Sequence, residues 1–250
     1  MANENFFSLQ GQVAVVTGAG QGIGEGIATR LGQAGARVAI LDTNRAAAEE
    51  VALRLKGVGL HCDVSSAPSV KQAIEEVQRQ LGPIQILVNN AGIAGGTFPG
   101  EGPEHRAADV PMDLLRKVFE TNFFAQVELT EKLLPLIRKS PAGRIVNLSS
   151  ILASLKLHAD PNSPIYNAKS FAYDASKTAL NALTVHLAYE LRDTNIKVNS
   201  AHPGWVKTDM GGQSAPMELN EGAKTSAALA TLAEDGPTGG FFHMGKPLPW

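Results

Sequence analysis

Short apolar segments alternate with longer amphipathic segments along most of the chain. The apolar segments have the length and residue types of strands, and we predict strands at residues 12–17, 37–42, 58–62, 84–89, 144–148, 197–201 and 240–243. The segments between them carry apolar residues at helical spacing, and we predict helices at residues 22–34, 45–56, 66–81, 111–139 and 171–192. Pro111 is expected in the first turn of the fourth helix.

This alternation predicts the fold class. Several of the predicted strands are apolar on both faces, as parallel strands covered by helices must be. Repeated strand–helix–strand units with right-handed crossovers form a doubly wound parallel sheet, a Rossmann fold with three α/β/α layers. The sequence contains no linker or low-complexity tract, so we expect residues 1–250 to form a single domain.

Composition narrows the class of protein. The 250 residues include 22 Lys and Arg against 24 Asp and Glu, a formal net charge of −2, so the sequence predicts neither nucleic-acid binding nor a polybasic membrane surface. The single cysteine, Cys62, is expected to be a small buried residue, and it permits no intrachain disulfide. The first residues lack a secretory pattern and no apolar run spans a bilayer, so we expect a soluble cytoplasmic protein.

A glycine-rich turn follows the first strand and opens the first helix. It reads TGAGQGIG over residues 17–24, with glycines at positions 18, 20, 22 and 24. Glycines at such a turn permit positive φ angles, let the backbone approach a pyrophosphate, and allow the helix to pack closely on the strand. The positive end of the helix then faces the phosphates. The motif in this context predicts a dinucleotide site.

Acidic residues at two strand ends refine the cofactor prediction. Asp42 can accept hydrogen bonds from ribose hydroxyls and would repel a 2′-phosphate, which favours NAD over NADP. Arg45 either reaches such a phosphate, making NADP the alternative, or faces solvent in the first turn of its helix. Asp63 and Val64 either hold the adenine or begin the next helix, with Asp63 as its cap.

A tyrosine and a lysine, Tyr173 and Lys177, lie one turn apart on one face of a predicted helix, 23 residues after Ser150. An ammonium beside a phenol favours the phenolate and so lowers the pKa of the tyrosine. The same spacing is also common on solvated helix faces. Tyr166 and Lys169 are three residues apart within a predicted loop, which excludes them as an equivalent pair.

Taken together, these motifs resemble those of the classical short-chain dehydrogenase/reductase family, and the resemblance covers essentially the whole chain. The matching motifs are Thr17-Gly18-x-x-x-Gly22-x-Gly24, Asp63-Val64, Asn89-Asn90-Ala91-Gly92, Asn122, Ser149-Ser150, Tyr173-x-x-x-Lys177 and Pro203-Gly204-x-x-x-Thr208. Residues 200–210 and 239–242 resemble the carbonyl-reductase branch of that family.

The resemblance implies a set of catalytic residues. Tyr173 would be the acid in carbonyl reduction and the base in alcohol oxidation. Lys177 would lower the pKa of the tyrosine and hold the nicotinamide ribose, while Ser150 would hydrogen-bond the substrate oxygen. Asn122 would anchor a water that links Lys177 to solvent; the alternative is an asparagine bonded to a neighbouring carbonyl.

The resemblance also implies where the cofactor lies. Its expected contacts are Gly18, Gln21, Gly22, Ile23, Gly24, Asp42, Asp63, Val64, Asn90, Ala91, Gly92, Tyr173, Lys177, Pro203, Gly204, Val206 and Thr208. No metal is expected, because His158, His202 and His243 are widely spaced, lack a ligand pattern and are interpreted as structural.

The segment between Ser150 and Tyr173 departs from the family pattern. It is longer than in most members and shorter than in monomeric carbonyl reductases; we call residues 151–172 the insertion. Our hypothesis is that the insertion walls the substrate pocket and weakens or blocks a helical face used for tetramer assembly, so both a monomer and a homo-oligomer stay open. The alternative is a surface loop without functional contacts.

Apolar residues in the long loops suggest the substrate class. The candidates are Ile93, Phe98, Leu152, Leu155, Ile165, Trp205, Met210 and Met217, which suit a hydrophobic ketone or aldehyde unless they are ordinary core. We therefore expect an NAD(P)-dependent oxidoreductase that interconverts such a carbonyl and its alcohol. The alternatives are a non-catalytic NAD(P) sensor and an epimerase or dehydratase. The short region after Gly204 disfavours the epimerase or dehydratase, and the retained Ser, Tyr, Lys and Asn disfavour the sensor.

Overall fold

A computed structural model describes residues 8–96 and 106–250. Its strands are β1 (Val13–Thr17), β2 (Arg37–Asp42), β3 (Val58–His61), β4 (Ile86–Asn89), β5 (Arg144–Leu148), β6 (Lys197–Ala201), β7 (Phe241–His243) and β8 (Lys246–Pro247). They form one sheet in the order β3-β2-β1-β4-β5-β6-β7-β8. Every neighbouring pair is parallel except β7 and β8, which confirms the predicted doubly wound parallel sheet.

Helices cover both faces of this sheet. They are α1 (Gly22–Gln33), α2 (Arg45–Leu55), α3 (Ala67–Leu81), α4 (Met112–Phe119), α5 (Ala125–Ile137), α6 (Leu155–Ala159), α7 (Phe171–Glu190), α8 (Leu219–Gly222) and α9 (Lys224–Ala230). Because successive strand residues point to opposite faces, Val13 and Val15 join a core with α3, α5 and α7. Ala14 and Val16 join the core on the other face, with α1, α2 and α9.

The switch in strand order positions the candidate site. The chain runs outward from β1 to β2 and β3, then returns so that β4 pairs with the other side of β1. In doubly wound sheets a crevice generally lies at the carboxyl ends of the strands where the order reverses, and ligands bind there. Within the described part of the chain, no helix is long and apolar enough to cross a membrane.

The predicted helix at residues 111–139 differs from the structure. Pro111 precedes α4 as its N-cap rather than lying in the first turn, and a π-helical turn (Glu120–Phe124) separates α4 from α5. Such turns are frequent at functional sites, and this one contains the buried Asn122. The sequence pattern also missed α6, α8, α9 and β8, which are too short to show a period.

A chain of buried polar side chains joins the sheet to the helices beneath it. The Asn89 Nδ2 atom donates to Thr130 Oγ1 (3.0 Å) and Asn147 Oδ1 (2.8 Å). The Asn147 amide donates to Thr184 Oγ1 (2.8 Å), whose hydroxyl also shares a hydrogen bond with Ser200. These bonds connect β4, β5 and β6 with α5 and α7. Buried polar groups are costly to leave unpaired, so this row of hydrogen-bonded side chains fixes the position of α7 on the sheet.

Replacing Asn147, the central residue of these hydrogen-bonded side chains, should destabilise the protein. Asn147→Ala leaves the Asn89 amide and the Thr184 hydroxyl each short of a partner, and we expect the free energy of unfolding to fall by about 1–3 kcal/mol. Urea denaturation measures it. The exposed Asn195→Ala should change it by less than about 0.5 kcal/mol. Equal free energies of unfolding for the two variants would contradict the structural role of Asn147.

Candidate active site

The glycine-rich turn has a backbone that other residues rarely adopt. Gly18 and Gly22 have φ angles of +59° and +60°. A β-carbon on Gly24 would overlap the carbonyl oxygen of Gly18, so the third glycine is required for the close approach of α1 to β1. Ile23 packs against the core beneath the turn. The result is an open cradle at the N-terminus of α1, with the geometry expected of a phosphate site.

The end of β4 supports this turn from the other side of β1. The side-chain amide of Asn90 donates to the carbonyl oxygens of Thr17 (2.7 Å) and Gly18 (2.9 Å). The Thr17 hydroxyl accepts in return from the backbone N–H groups of Asn90 and Ala91. A β-carbon on Gly18 would lie 2.9 Å from the α-carbon of Ala91. The side chain of Asn90 is therefore used to hold the turn.

Asp42 lies at the edge of the same turn. One carboxylate oxygen accepts from the N–H of Gly20 and the other from the N–H of Asn44, both at 2.9 Å. Arg45 instead pairs with Glu49 at 2.7 Å, and its side chain is 72% exposed. The Arg45 side chain therefore faces solvent here, which agrees with the solvent-facing alternative, while the choice between NAD and NADP stays a prediction.

The side chains of Asp63 and Val64 are engaged within the protein. Asp63 Oδ1 accepts from the N–H (2.9 Å) and the hydroxyl (2.6 Å) of Ser65, which forms an Asx turn. The N-cap of α3 is Ser66, so the alternative of Asp63 as the helix cap was wrong. Val64 lies in the core together with Cys62, and burial raises the pKa of the Cys62 thiol to about 11. Cys62 is thus a buried residue, as predicted. Contact of Asp63 and Val64 with the adenine of a cofactor stays a prediction.

Helix α7 brings together the predicted catalytic side chains at the carboxyl end of β5. The Tyr173 hydroxyl is hydrogen-bonded to Ser150. The Lys177 ammonium donates to the carbonyl oxygen of Leu148 (2.8 Å) and lies 5.8 Å from the centroid of the Tyr173 ring. Ser149, the other serine of the pair, has a buried hydroxyl with no hydrogen-bond partner among the described residues.

The pKa shift of the tyrosine is opposite to the predicted one. Burial raises the pKa of Tyr173 to about 12, and the hydrogen bond from Ser150 only partly opposes this. Burial also lowers the pKa of Lys177 to about 8. The expectation of a lowered tyrosine pKa was wrong for the protein alone, because sequence spacing does not reveal that both groups are removed from water. At neutral pH the tyrosine therefore carries its proton.

Asn122 faces this pair from the π-helical turn. Its Oδ1 accepts from the N–H of Ile93 (2.8 Å), and its Nδ2 donates to the carbonyl of Ile93 (2.9 Å) and the hydroxyl of Ser176 (3.0 Å). The Asn122 side chain is thus bonded to a neighbouring carbonyl, and its role in anchoring a water beside Lys177 stays a prediction. A β-carbon on Gly92 would lie 3.2 Å from Asn122 Oδ1 and 3.3 Å from Lys177 Nζ, so all three residues meet.

The turn that follows β6 covers the glycine-rich turn. Gln21 Nε2 donates to Asp209 Oδ2 at 3.4 Å, and a β-carbon on Gly22 would lie 3.8 Å from Thr208 Cγ2. The Thr208 hydroxyl accepts from the N–H of Gly211 (2.8 Å). Val206 is buried, so its side chain anchors the turn. The two segments thus form opposite walls of one cleft.

His202 joins two parts of the site that the sequence did not connect. Its Nδ1 accepts from the N–H of Ile151 (3.2 Å), next to Ser150, and from the N–H of Gly204 (3.4 Å), next to Pro203. Burial, and then His243, lower the pKa of His202 to about 3, so the ring is neutral. This supports the structural interpretation of His202. Residues 8–96 and 106–250 contain no group of three His, Cys, Asp or Glu able to hold a metal.

The predicted substrate-pocket residues differ in their surroundings. Leu152 and Ile165 form a buried apolar cluster with Tyr173, against which Met210 packs. Leu155 and Trp205 are 64% and 50% exposed, and the sulfur of Met217 lies against Gly204. Ile93 is held by Asn122, while Phe98 lies outside the described residues. Part of the insertion therefore packs around Tyr173, and its role as a wall of the substrate pocket stays a prediction.

Comparison with known proteins gives consistent results. The family model described as short chain dehydrogenase matches residues 12–219. The 7alpha-hydroxysteroid dehydrogenase of Escherichia coli (strain K12) is 33% identical over 214 residues, covering 84% of this chain and 76% of that protein. The 3-oxoacyl-(acyl-carrier-protein) reductase of Pseudomonas aeruginosa is 34% identical over 246 residues, covering 92% of each.

Solved structures agree. The 3-ketoacyl-(acyl-carrier-protein) reductase of Brucella melitensis, complexed with NADH, has a TM-score of 0.80 at 28% identity, covering 94% of this chain and 96% of that one. Salutaridine reductase from Papaver somniferum has a TM-score of 0.78 at 27% identity, covering 92% and 99%.

The cradle makes a prediction that needs no substrate. In Gly24→Ala the new β-carbon collides with the Gly18 carbonyl and must displace the turn, so we expect NADH to bind at least about tenfold more weakly, a loss of about 1.4 kcal/mol. Fluorescence titration measures the Kd. Gly32→Ala is the matched control on the same helix, because its β-carbon meets only Leu55 at ordinary contact distance. Unchanged NADH binding in Gly24→Ala would count against a cofactor in this cradle.

Proposed function

The chain belongs to the short-chain dehydrogenase/reductase family, and we propose that it is an NAD(P)-dependent oxidoreductase that interconverts a hydrophobic ketone or aldehyde and its alcohol. The observation that carries the proposal is the meeting of Ser150, Tyr173 and Lys177 at the end of β5, beside the glycine-rich turn. Proteins of this family bind NAD(P), but the physiological substrate class is our inference from the residues around the tyrosine.

The residues of the cleft fit such a cofactor. The positive φ angles of Gly18 and Gly22 suit a turn that wraps a pyrophosphate at the N-terminus of α1. Asp42, bonded to the N–H of Gly20 in that turn, is our candidate acceptor for the ribose hydroxyls. Gly92 leaves space beside Lys177, where a β-carbon would be crowded. We assign the remaining contacts to the backbone after β4 and to the turn at residues 203–208. When bound, NAD(P)H supplies the hydride, and NAD(P)⁺ accepts it in the reverse reaction.

Proton transfer is the task of the chain itself. In reduction the carbonyl carbon gains the hydride, and the Tyr173 hydroxyl gives its proton to the carbonyl oxygen. Ser150 donates a hydrogen bond to that oxygen as negative charge develops on it. The Lys177 ammonium stabilises the phenolate that is left. In oxidation the same phenolate takes the proton of the alcohol. The raised pKa of Tyr173 favours its proton-loaded form at neutral pH, which suits reduction.

The alternatives lack comparable support. A non-catalytic sensor has no need for a buried tyrosine, serine and lysine in contact, and those contacts are present. The apolar cluster of Leu152, Ile165 and Tyr173 supports a hydrophobic substrate. We further propose that residues 1–250 act as one domain in the cytoplasm, a reducing compartment that suits the single buried cysteine. Monomer and homo-oligomer both stay open.

Tyr173→Phe tests the proposed function. We expect the variant to lose at least about 100-fold in kcat, because no other hydroxyl takes over general acid catalysis, while its Kd for NADH changes less than about twofold. Oxidation of NADH and NADPH is followed by absorbance over a panel of ketones and aldehydes. Tyr166→Phe, which alters the tyrosine of the exposed loop, is the control and should retain activity. Undiminished turnover in Tyr173→Phe would contradict the mechanism, and NADH binding by the parent protein without turnover on any compound would favour the sensor.

Asp42→Ala tests the cofactor preference. Removing the carboxylate removes a ribose acceptor and the repulsion of a 2′-phosphate, so we expect the ratio of kcat/KM for NADPH over NADH to rise about tenfold or more. Arg45→Ala should leave the ratio unchanged, since its guanidinium pairs with Glu49 in solvent. An unchanged ratio in Asp42→Ala would remove Asp42 from the ribose site.

A further inference from the structure

Helix α7 presents two adjacent faces with different contacts. Tyr173 and Lys177 face the cleft, whereas Asp174 and Thr178, one residue further along in each case, face the insertion. The Thr178 hydroxyl donates to the carbonyl oxygen of Ala153 at 2.9 Å. The helix that carries the tyrosine is therefore also the surface on which the insertion is fixed.

A partly buried histidine, His158, lies between the insertion and this second face. His158 Nε2 lies 2.8 Å from the carbonyl oxygen of Leu152 and 3.4 Å from Asp174 Oδ2. Lys169 Nζ lies 2.8 Å from His158 Nδ1 and 2.9 Å from the carbonyl oxygen of His158. A carbonyl only accepts and an ammonium only donates, so Nε2 carries the proton and Nδ1 does not. The contacts thus define a neutral imidazole held between a cation and a carboxyl group.

The carboxyl group is in an unfavourable place. Asp174 is 9% exposed; its Oδ2 accepts from the N–H of Ser170 (2.9 Å), and its Oδ1 is buried without a hydrogen-bond partner in the described residues. Burial raises the pKa of Asp174 from its ordinary value to about 7, although Lys169 opposes the shift. A raised carboxyl pKa means that ionisation costs stability as pH rises from about 4 to about 7. Stability therefore does not explain an acid at this position.

We propose that His158, Lys169 and Asp174 form a positioning cluster that fixes the insertion against the first turn of α7 and holds a negative charge next to Tyr173, which favours the protonated tyrosine. The proposal rests on the proposed function, because it concerns the acid of that reaction. Asp174 is not a catalytic residue; it acts through its neighbour.

The charged and titratable groups that face Asp174 decide whether it favours or opposes the protonated form of Tyr173. Lys169 and His158 approach it from the insertion, and Tyr173 precedes it on its own helix. Lys169 favours the ionised carboxylate, and the carboxylate in turn opposes formation of a phenolate at Tyr173. Docking of the insertion thus extends the pH range over which the tyrosine can give its proton to a carbonyl.

The first test needs neither cofactor nor substrate. The pKa of His158 is lowered by burial and by the ammonium of Lys169, so Lys169→Met should raise the titration midpoint of His158 by about half a pH unit to one unit. NMR of the full chain with 13C-labelled histidine measures it, with His158→Gln identifying the signal. Lys156→Met, an exposed lysine on α6, is the matched control and should not shift the midpoint. An unshifted midpoint in Lys169→Met would overturn the cluster.

The second test measures the pH dependence of the reaction, which reports the protonation of Tyr173. In Asp174→Asn the alkaline limb of kcat for reduction should move down by about half a pH unit to one unit, measured with the apolar ketone that the parent protein reduces fastest. Asp193→Asn, beyond the end of α7 with a side chain 85% exposed, is the control and should give the parent profile. A profile for Asp174→Asn that superimposes on the parent would overturn the proposal, even if KM or stability changed.

Two controls keep the outcomes separable. Asp174→Asn removes an ionisation that costs stability, so its denaturation midpoint at pH 8 should equal or exceed that of the parent protein. If it nevertheless fails to fold, Lys169→Met decides the question through the histidine titration. If the parent protein reduces no ketone, the proposed function fails, while the NMR result alone still supports or overturns the cluster.

Discussion

The position of α7 against the carboxyl end of β5 is the constraint on which the candidate site depends. The buried ammonium of Lys177 is held by the carbonyl oxygen of Leu148, and two turns further along Thr184 is held by Asn147 of the same strand. Both groups are buried, so neither can give up its partner without a cost of about 1–3 kcal/mol. A one-residue rotation of the helix would turn Tyr173 away from Ser150 by about 100°.

This constraint explains why one helix can serve two purposes. With the helix held in one rotation, the face of Tyr173 points into the cleft and the face of Asp174 points into the insertion. The pocket wall and the proton donor are therefore supported by the same element. In our account the insertion is a wall that also adjusts the acidity of the tyrosine.

Much of this architecture follows from residue patterns. The parallel sheet was predicted from strands that are apolar on both faces and from helices of ten or more residues. Segments of that length show a clear period of apolar residues. The π-helical turn did not follow from the sequence: it contains Asn122, whose bonds to Ile93 form only when two distant segments pack together. Helix α6 has only five residues, too few to show the period of apolar positions that identifies a helix.

The electrostatics depended on burial, which the sequence does not reveal. The spacing of Tyr173 and Lys177 correctly predicted neighbours, but the pKa of the tyrosine is raised and not lowered, because desolvation exceeds the opposing hydrogen bond from Ser150. Likewise, His158, Lys169 and Asp174 showed no motif, and only the packing of the insertion brings them together. The one signal in the sequence was a histidine and a lysine within the insertion and an acid just after it.

The central claim is that this cleft transfers a hydride to a carbonyl while Tyr173 supplies the proton. Reduction of an apolar ketone with NADH deuterated at C4 of the nicotinamide, followed by mass spectrometry of the product, tests it most directly. We predict an alcohol that carries deuterium on the former carbonyl carbon, and no labelled alcohol above background with Tyr173→Phe. An alcohol without deuterium from NADH labelled on both faces of C4, or equal labelled product from the variant, would contradict the account.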